Sequence, residues 1–197
     1  MKINPELMEI IRKNNNIITA EQFVNSGFSR SLLTLYCKEG LLQRVHHGIY
    51  ILTESVHDDM FTLMLQSKYI IFSHDTALFL NHLSDRTPFT HSVTVPSNTK
   101  LSPVLLNQCQ CYYIKPELYP VGLIERKNTQ GNIVRCYNAE RTLCDLLRSR
   151  NRLDEELVIS AIKNYVSWEH KNLTLLAEYA PKFGVDKILK TYMEVLL

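Results

Sequence analysis

Ser29-Arg-Ser-Leu-Leu-Thr-Leu-Tyr-Cys-Lys-Glu-Gly40-Leu-Leu-Gln-Arg-Val-His-His-Gly-Ile-Tyr50 is the stretch that decides how the front of this 197-residue chain folds. Ser29 has the side chain that caps a helix and Gly40 is the residue that commonly ends one, which predicts a short helix up to about Lys38. The residues after Gly40 switch to strand formers and turn near His46-His47-Gly48, where Gly48 permits a positive φ, so Leu42 to Leu52 reads as a hairpin. Working backwards, Gly27 supplies a turn. Thr19-Ala-Glu-Gln22 has the Thr-x-x-Gln form of a capping box and opens a second short helix through Phe23 and Val24. Pro5 suits the first turn of a helix carrying Leu7, Ile10 and Ile11, which Asn14-Asn15-Asn16 ends. Short helices around a glycine turn, closed by a hairpin, are the pattern of a winged helix-turn-helix.

Within the Ser29–Lys38 helix, Leu32, Leu35 and Tyr36 are expected to face the preceding helices. Arg30, Thr34 and Lys38 are four apart and align on another face with Ser31 beside them. For an isolated helix this would read as an ordinary solvated face. Followed by a hairpin, it reads as a surface for the DNA major groove, where long basic side chains reach phosphates or guanine and short hydroxyls permit close approach. Arg44, His46 and His47 are placed at or near the wing tip. The two histidines are not expected to hold a metal, because neighbours in a hairpin point to opposite sides and no further ligand lies close in sequence.

The totals narrow the field. Twenty-two basic against 20 acidic residues leave a formal charge of +2, so DNA binding has to come from a local patch. The five cysteines, Cys37, Cys109, Cys111, Cys136 and Cys144, are odd in number and contain no Cys-x-x-Cys pair, which points to free thiols in a reducing cytoplasm. The start lacks the apolar core of a signal peptide, and charges interrupt every apolar run before it reaches bilayer length. A soluble, cytoplasmic protein is expected.

From residue 53 onward the pattern changes. Helices are predicted over Asp58 to Lys68 and from a Ser73 cap to Leu80. Strands follow at Ser92 to Val95, Cys109 to Lys115, Gly122 to Lys127 and Ile133 to Asn138, the last two flanking a hairpin turn at Asn128-Thr-Gln-Gly-Asn132. Helices return at Ala139 to Arg148, Asp154 to Val166, Leu173 to Tyr179 and Val185 to the end. The expected fold is therefore α+β: a winged helix-turn-helix over residues 1–52, then a mixed α/β domain over 53–197 with a small, mainly antiparallel sheet and C-terminal helices.

No phosphate-binding glycine loop, Gly-x-Ser-x-Gly elbow or nucleotidyltransferase motif is present. Glu125-Arg-Lys127 has the Glu-x-Lys half of a metal-dependent nuclease site, but no Asp lies between Asp85 and Asp145 to complete it. His74 and His82, eight apart, are too distant along a helix to share a metal unaided. In Asn138-Ala-Glu-Arg-Thr-Leu-Cys-Asp145, Asn138 can cap a helix, Glu140 suits its positive end and Arg141 can pair with Asp145. No enzyme activity, cofactor or metal is expected.

Ile18-Thr-Ala-Glu-Gln-Phe, Leu42-Gln-Arg-Val-His-His-Gly-Ile-Tyr50, Ser73-His-Asp-Thr-Ala-Leu and Ala139-Glu-Arg-Thr-Leu-Cys-Asp, in that order and across almost the whole chain, resemble the AbiEi family, antitoxins of type IV abortive-infection (AbiE) toxin–antitoxin systems in bacteria. The resemblance implies that the N-terminal domain represses its own operon by binding inverted repeats in double-stranded promoter DNA, through Ser29 to Lys38 and Arg44 to Gly48. It also implies that the second domain counters a nucleotidyltransferase-like toxin without a stable complex, in phage resistance. Which residues antagonise the toxin is not implied. The reading is compatible with a monomer in solution that binds DNA cooperatively and has no membrane partner. The alternative is a ligand-sensing winged-helix regulator.

Overall fold

The Thr19 capping box forms as its sequence dictates: the Thr19 hydroxyl accepts the Gln22 N–H and the Gln22 side chain accepts the Thr19 N–H. It starts the second helix of a computed structural model that describes residues 2–196; Met1 and Leu197, the outer ends of the two expected domains, lie outside it. The described residues divide into two units between Lys68 and Tyr69.

The first unit runs α1 (Pro5–Lys13), β1 (Ile17–Thr19), α2 (Ala20–Asn25), α3 (Arg30–Lys38), β2 (Leu42–His46), β3 (Ile49–Leu52) and α4 (Asp59–Leu65). Its sheet has the order β1-β3-β2 and is antiparallel throughout. Leu7, Ile11, Ile18, Phe23, Leu33, Tyr36 and Leu42 form one core under the helices. A second cluster, Ile17, Ile49 and Ile51, covers the other face of the sheet, with Phe61 and Leu65 of α4 packed on it. That contact carries the first unit past the boundary expected at residue 52. β1 has no sequence signature, because three residues between an asparagine-rich helix end and a capping box are too few to show alternation.

The second unit runs β4 (Ile71–Phe72), α5 (His74–Leu80), β5 (His91–Pro96), α6 (Pro103–Leu106), β6 (Cys109–Ile114), β7 (Leu123–Lys127), β8 (Ile133–Tyr137), α7 (Ala139–Ser149), α8 (Glu155–Ser167), α9 (Leu173–Lys182) and α10 (Asp186–Leu196). The α+β class and the C-terminal helices match expectation. The sheet order is β6-β5-β4-β8-β7, with antiparallel pairings β4–β5 and β7–β8 beside parallel pairings β5–β6 and β4–β8. The sheet is therefore mixed. The two-residue β4, unread in the sequence, sits at its centre and joins the two halves.

α7 is the axis of this unit. Every residue from Ala139 to Ser149 is buried except Arg148, and the helix contacts α5, α8 and α9. Asn138 caps it by accepting the Arg141 N–H at 2.9 Å. The Glu140 carboxylate accepts the Tyr165 hydroxyl at 2.9 Å and the Asn172 N–H at 3.1 Å, fixing the α8–α9 connection. Arg141 is fully buried. Its Nε donates to Asp145 Oδ2 at 3.0 Å, its Nη1 donates to the carbonyls of Leu118 and Val121 at 2.7 and 2.8 Å, and its Cζ lies 4.0 Å from the ring centres of both Tyr137 and Phe183. Gly122 is required beside it: a Cβ there, at φ +78°, would stand 2.6 Å from Arg141 Cβ.

Ser73-His74 explains the other motif. Ser73 precedes α5 but makes no capping bond with its side chain. Its Oγ instead accepts the Thr94 hydroxyl at 2.8 Å and lies 2.9 Å from His74 Nδ1. His74 is buried at a left-handed φ of +50°, stacks on Tyr112 with ring centres 3.5 Å apart, and meets Ser149 Oγ through Nε2 at 3.0 Å. His82 lies beyond α5 and is exposed.

Burial, aided by the charges of Arg141, Arg152 and Arg148, pushes the His74 imidazole down to about 3 from 6.5. Unfolding restores the ordinary value, so below pH 6.5 the unfolded chain binds a proton that the folded unit refuses. Stability from this group is complete above pH 6.5 and is lost as pH falls towards 3, by up to about 1.4 kcal/mol per pH unit. His74→Asn keeps a polar side chain tolerant of positive φ and removes the proton site. Urea unfolding from pH 7 to 4.5 should show a shallower fall in stability for His74→Asn than for the parent. Parallel curves would contradict the assignment.

Candidate nucleic-acid interface

α3 begins where Ser29 accepts the Leu32 N–H and ends before Gly40 at φ +68°. Leu33 and Tyr36 are buried, with Leu32 partly so, and the Tyr36 hydroxyl accepts the Asn4 N–H at 3.1 Å. Phe23 meets Tyr36 edge-on and Phe28 at a tilt, with ring centres 6.4 and 5.5 Å apart, locking α2 against α3. Leu35, expected inside, is 40% exposed, and Leu33 takes the core position instead. With apolar residues at 32, 33, 35 and 36, two stripes one residue apart were both available. Packing on Phe23 selects the one through Leu33.

Arg30, Ser31, Thr34 and Lys38 are all exposed on α3, with Leu35 among them. Ser31 Oγ lies 2.8 Å from Ser29 Oγ, and the Thr34 hydroxyl donates to the Arg30 carbonyl at 3.3 Å. Both are weak local partners on an exposed surface that an incoming acceptor can replace. The sequence missed Leu35 as a member of this face because leucine in a short helix reads as core.

The wing is short. A two-residue turn, His47-Gly48, joins β2 and β3, with Gly48 at φ +73° and a bulge between Arg44 and His46. The Ala20 N–H donates to the Gly48 carbonyl at 2.7 Å, tying the turn to the start of α2. His47 is exposed there, and it shares a groove of about 510 Å³ with Arg30 and the first turn of α2. Arg44 is exposed on β2, its Nε donating to the His46 carbonyl at 3.3 Å, and its charge reaches Cys37 of α3, opposing the rise that burial gives that thiol. His46 is drawn to a different neighbourhood: its half-buried ring lies 6.2 Å from that of His57, which bonds Asp59 at 2.8 Å, and burial followed by the His57 charge lowers its pKa. The structure thus gathers the four α3 residues, sets Arg30 and His47 on one groove, and leaves His46 apart.

In the second unit Glu125 and Lys127 stand exposed on β7, with Glu125 in register with Arg135. Among the described residues no three His, Cys, Asp or Glu side chains gather as a metal ion would need, the five cysteines are free, and no helix is long and apolar enough to cross a membrane.

Residues 5–53, from the first residue of α1 to just past β3, match the family model described as a transcriptional regulator, AbiEi antitoxin. The crystal structure of RV2827C protein from Mycobacterium tuberculosis is similar in fold, with a TM-score of 0.55 over 80% of this chain and 73% of that one at 11% identity. No curated protein matches the chain. Over its N-terminal helices and hairpin, residues 5–53, the chain is similar to the AbiEi antitoxin family of transcriptional regulators.

Proposed function

We propose that this chain is the antitoxin of a type IV toxin–antitoxin pair, that it represses its own operon through α3, and that it counters a nucleotidyltransferase-like toxin without forming a stable complex. The observation that carries the DNA half is the exposed face of α3. Arg30, Ser31, Thr34 and Lys38 stand together on a helix whose opposite side is fixed by Leu33, Tyr36 and Phe23. A rigid helix with that face is what insertion into a major groove requires. Arg30 and Lys38 contact guanine edges or phosphates, and Ser31 and Thr34 hydrogen-bond bases or phosphates. Leu35 adds an apolar contact of the kind that recognises a thymine methyl. Arg44 on β2 and His47 at the wing turn reach the flanking backbone; His46, beside His57, serves the hairpin more than the DNA.

The toxin half rests on the similarity of residues 5–53 to AbiEi antitoxins, and we assign it to the second unit. Its mixed sheet and α7-centred core are built independently of the first unit's cores, which favours separable tasks.

A gel-shift titration of DNA from immediately upstream of the chain's reading frame, repeated across a salt series, tests the DNA half. Binding should saturate and weaken steeply as salt rises, because each neutralised phosphate contributes a slope of about −0.9 in log K against log salt. Equal binding to unrelated duplex DNA at every salt concentration would contradict an operator-reading role.

A further inference from the structure

The buried His74 relay of the second unit ends at a serine. Thr94 donates to Ser73 Oγ, which lies 2.9 Å from His74 Nδ1. The other ring nitrogen, Nε2, lies 3.0 Å from Ser149 Oγ. His74 is the one side-chain partner of the Ser149 hydroxyl among the described residues. Ser149 lines a partly enclosed pocket of about 60 Å³ together with His74, Tyr112, Arg148 and Arg152.

The two arginines are exposed, come from the end of α7 and the turn after it, and have no acidic partner at ion-pair distance among the described residues. Arg152 lies over the Tyr112 ring, Cζ 5.5 Å from its centre. Asp145 also lines the pocket, but its carboxylate is bonded to Arg141 at 3.0 Å, which leaves the local balance positive. A water needs about 10–15 Å³ of such space, so the pocket admits a group of about four or five heavy atoms and excludes a sugar or a base.

We infer that this pocket binds a terminal phosphoryl group, held by the Ser149 hydroxyl from its floor and by the Arg148 and Arg152 guanidinium groups at its mouth. Planar guanidinium forks match a tetrahedral oxyanion, and the buried Ser149 hydroxyl, free to donate when His74 carries its proton on Nε2, fixes the anion's depth. The left-handed backbone at His74 fits this role, since strained residues held by their surroundings are common where a ligand is positioned. The site is separate from α3 and does not depend on the DNA reading.

Calorimetric titration of the full chain with inorganic phosphate, adenosine monophosphate and adenosine tests the proposal. Inorganic phosphate and the monophosphate should both bind and adenosine should not. Matching affinities identify free phosphate as the ligand, whereas tighter binding of the monophosphate identifies a phosphate-bearing nucleotide. The double variant R148A/R152A, altered only at exposed positions, should lose roughly tenfold to a hundredfold in affinity for phosphate, as expected for charged hydrogen bonds. S149A should show a smaller loss in the same direction. Arg150→Ala, one residue from Ser149 but outside the pocket, should bind like the parent. Phosphate binding unchanged in R148A/R152A, equal losses in Arg150→Ala, or no binding at millimolar phosphate would each overturn the assignment.

Discussion

Arg141→Ala should destabilise the C-terminal unit by about 3–5 kcal/mol, the range for leaving one partner of a buried ion pair uncompensated. The expectation follows from what surrounds the guanidinium. Its removal strands the Asp145 carboxylate in the core, where burial already pushes its pKa up against the pull of Arg141, and releases two carbonyls, of Leu118 and Val121, that no other described side chain meets. It also leaves a void between the Tyr137 and Phe183 rings that flank it at 4.0 Å. A domain with a total stability of about 5–15 kcal/mol cannot absorb that loss unnoticed. The double variant R141A/D145A should be less destabilised than R141A alone, because the unpaired charge goes with the second substitution. Urea unfolding of both variants followed by circular dichroism checks this. A loss under about 1 kcal/mol for R141A, the size of an ordinary surface change, would show that the arginine is not the keystone of α7.

The sequence was legible where physics acts locally. Thr19, Ser29 and Asn138 each carry a hydroxyl or amide at the residue before a helix, and each caps the helix it announces. Gly27, Gly40 and Gly48 sit where a positive φ is needed, and the chain turns or ends a helix at each. The Arg141–Asp145 pair, one helical turn apart, formed as its spacing implies. What stayed hidden depends on partners distant in the chain. The direction of the β4–β8 and β5–β6 pairings is set by which strands lie side by side, and no strand announces that in its own residues. Ser73 looked like a plain cap until Thr94 and His74 claimed its hydroxyl. Leu35 looked buried until the Phe23 cluster took Leu33. The phosphate pocket draws on residues 74 to 152, a span over which no short motif can report. On α3 the four polar residues are exposed as their spacing implies, and Leu35 is exposed where burial was expected. The wing turns where Gly48 was expected to turn it, and the tie from the Ala20 N–H to the Gly48 carbonyl, between residues distant in the chain, could not be read from the sequence.

Replacing Arg30, Thr34 and Lys38 together by alanine should abolish most of the chain's affinity for its own promoter DNA. All three are exposed, alanine is a better helix former than any of them, and none touches the Leu33–Tyr36–Phe23 core, so the fold is untouched. A well-placed base contact contributes about 1–3 kcal/mol, so losing the arginine and the lysine with their hydroxyl neighbour should weaken binding by about a hundredfold or more. Two lost phosphate or guanine cations should also flatten the salt dependence, by up to roughly 1.8 in slope if both meet phosphates. The direct test is a side-by-side titration of upstream promoter DNA with the parent chain and R30A/T34A/K38A at two salt concentrations, after unfolding curves have shown equal stability. The parent should bind tightly and with steep salt dependence, and the variant should bind about a hundredfold more weakly with a shallower salt slope; equal binding by the two folded proteins would rule out α3 as the DNA-reading helix.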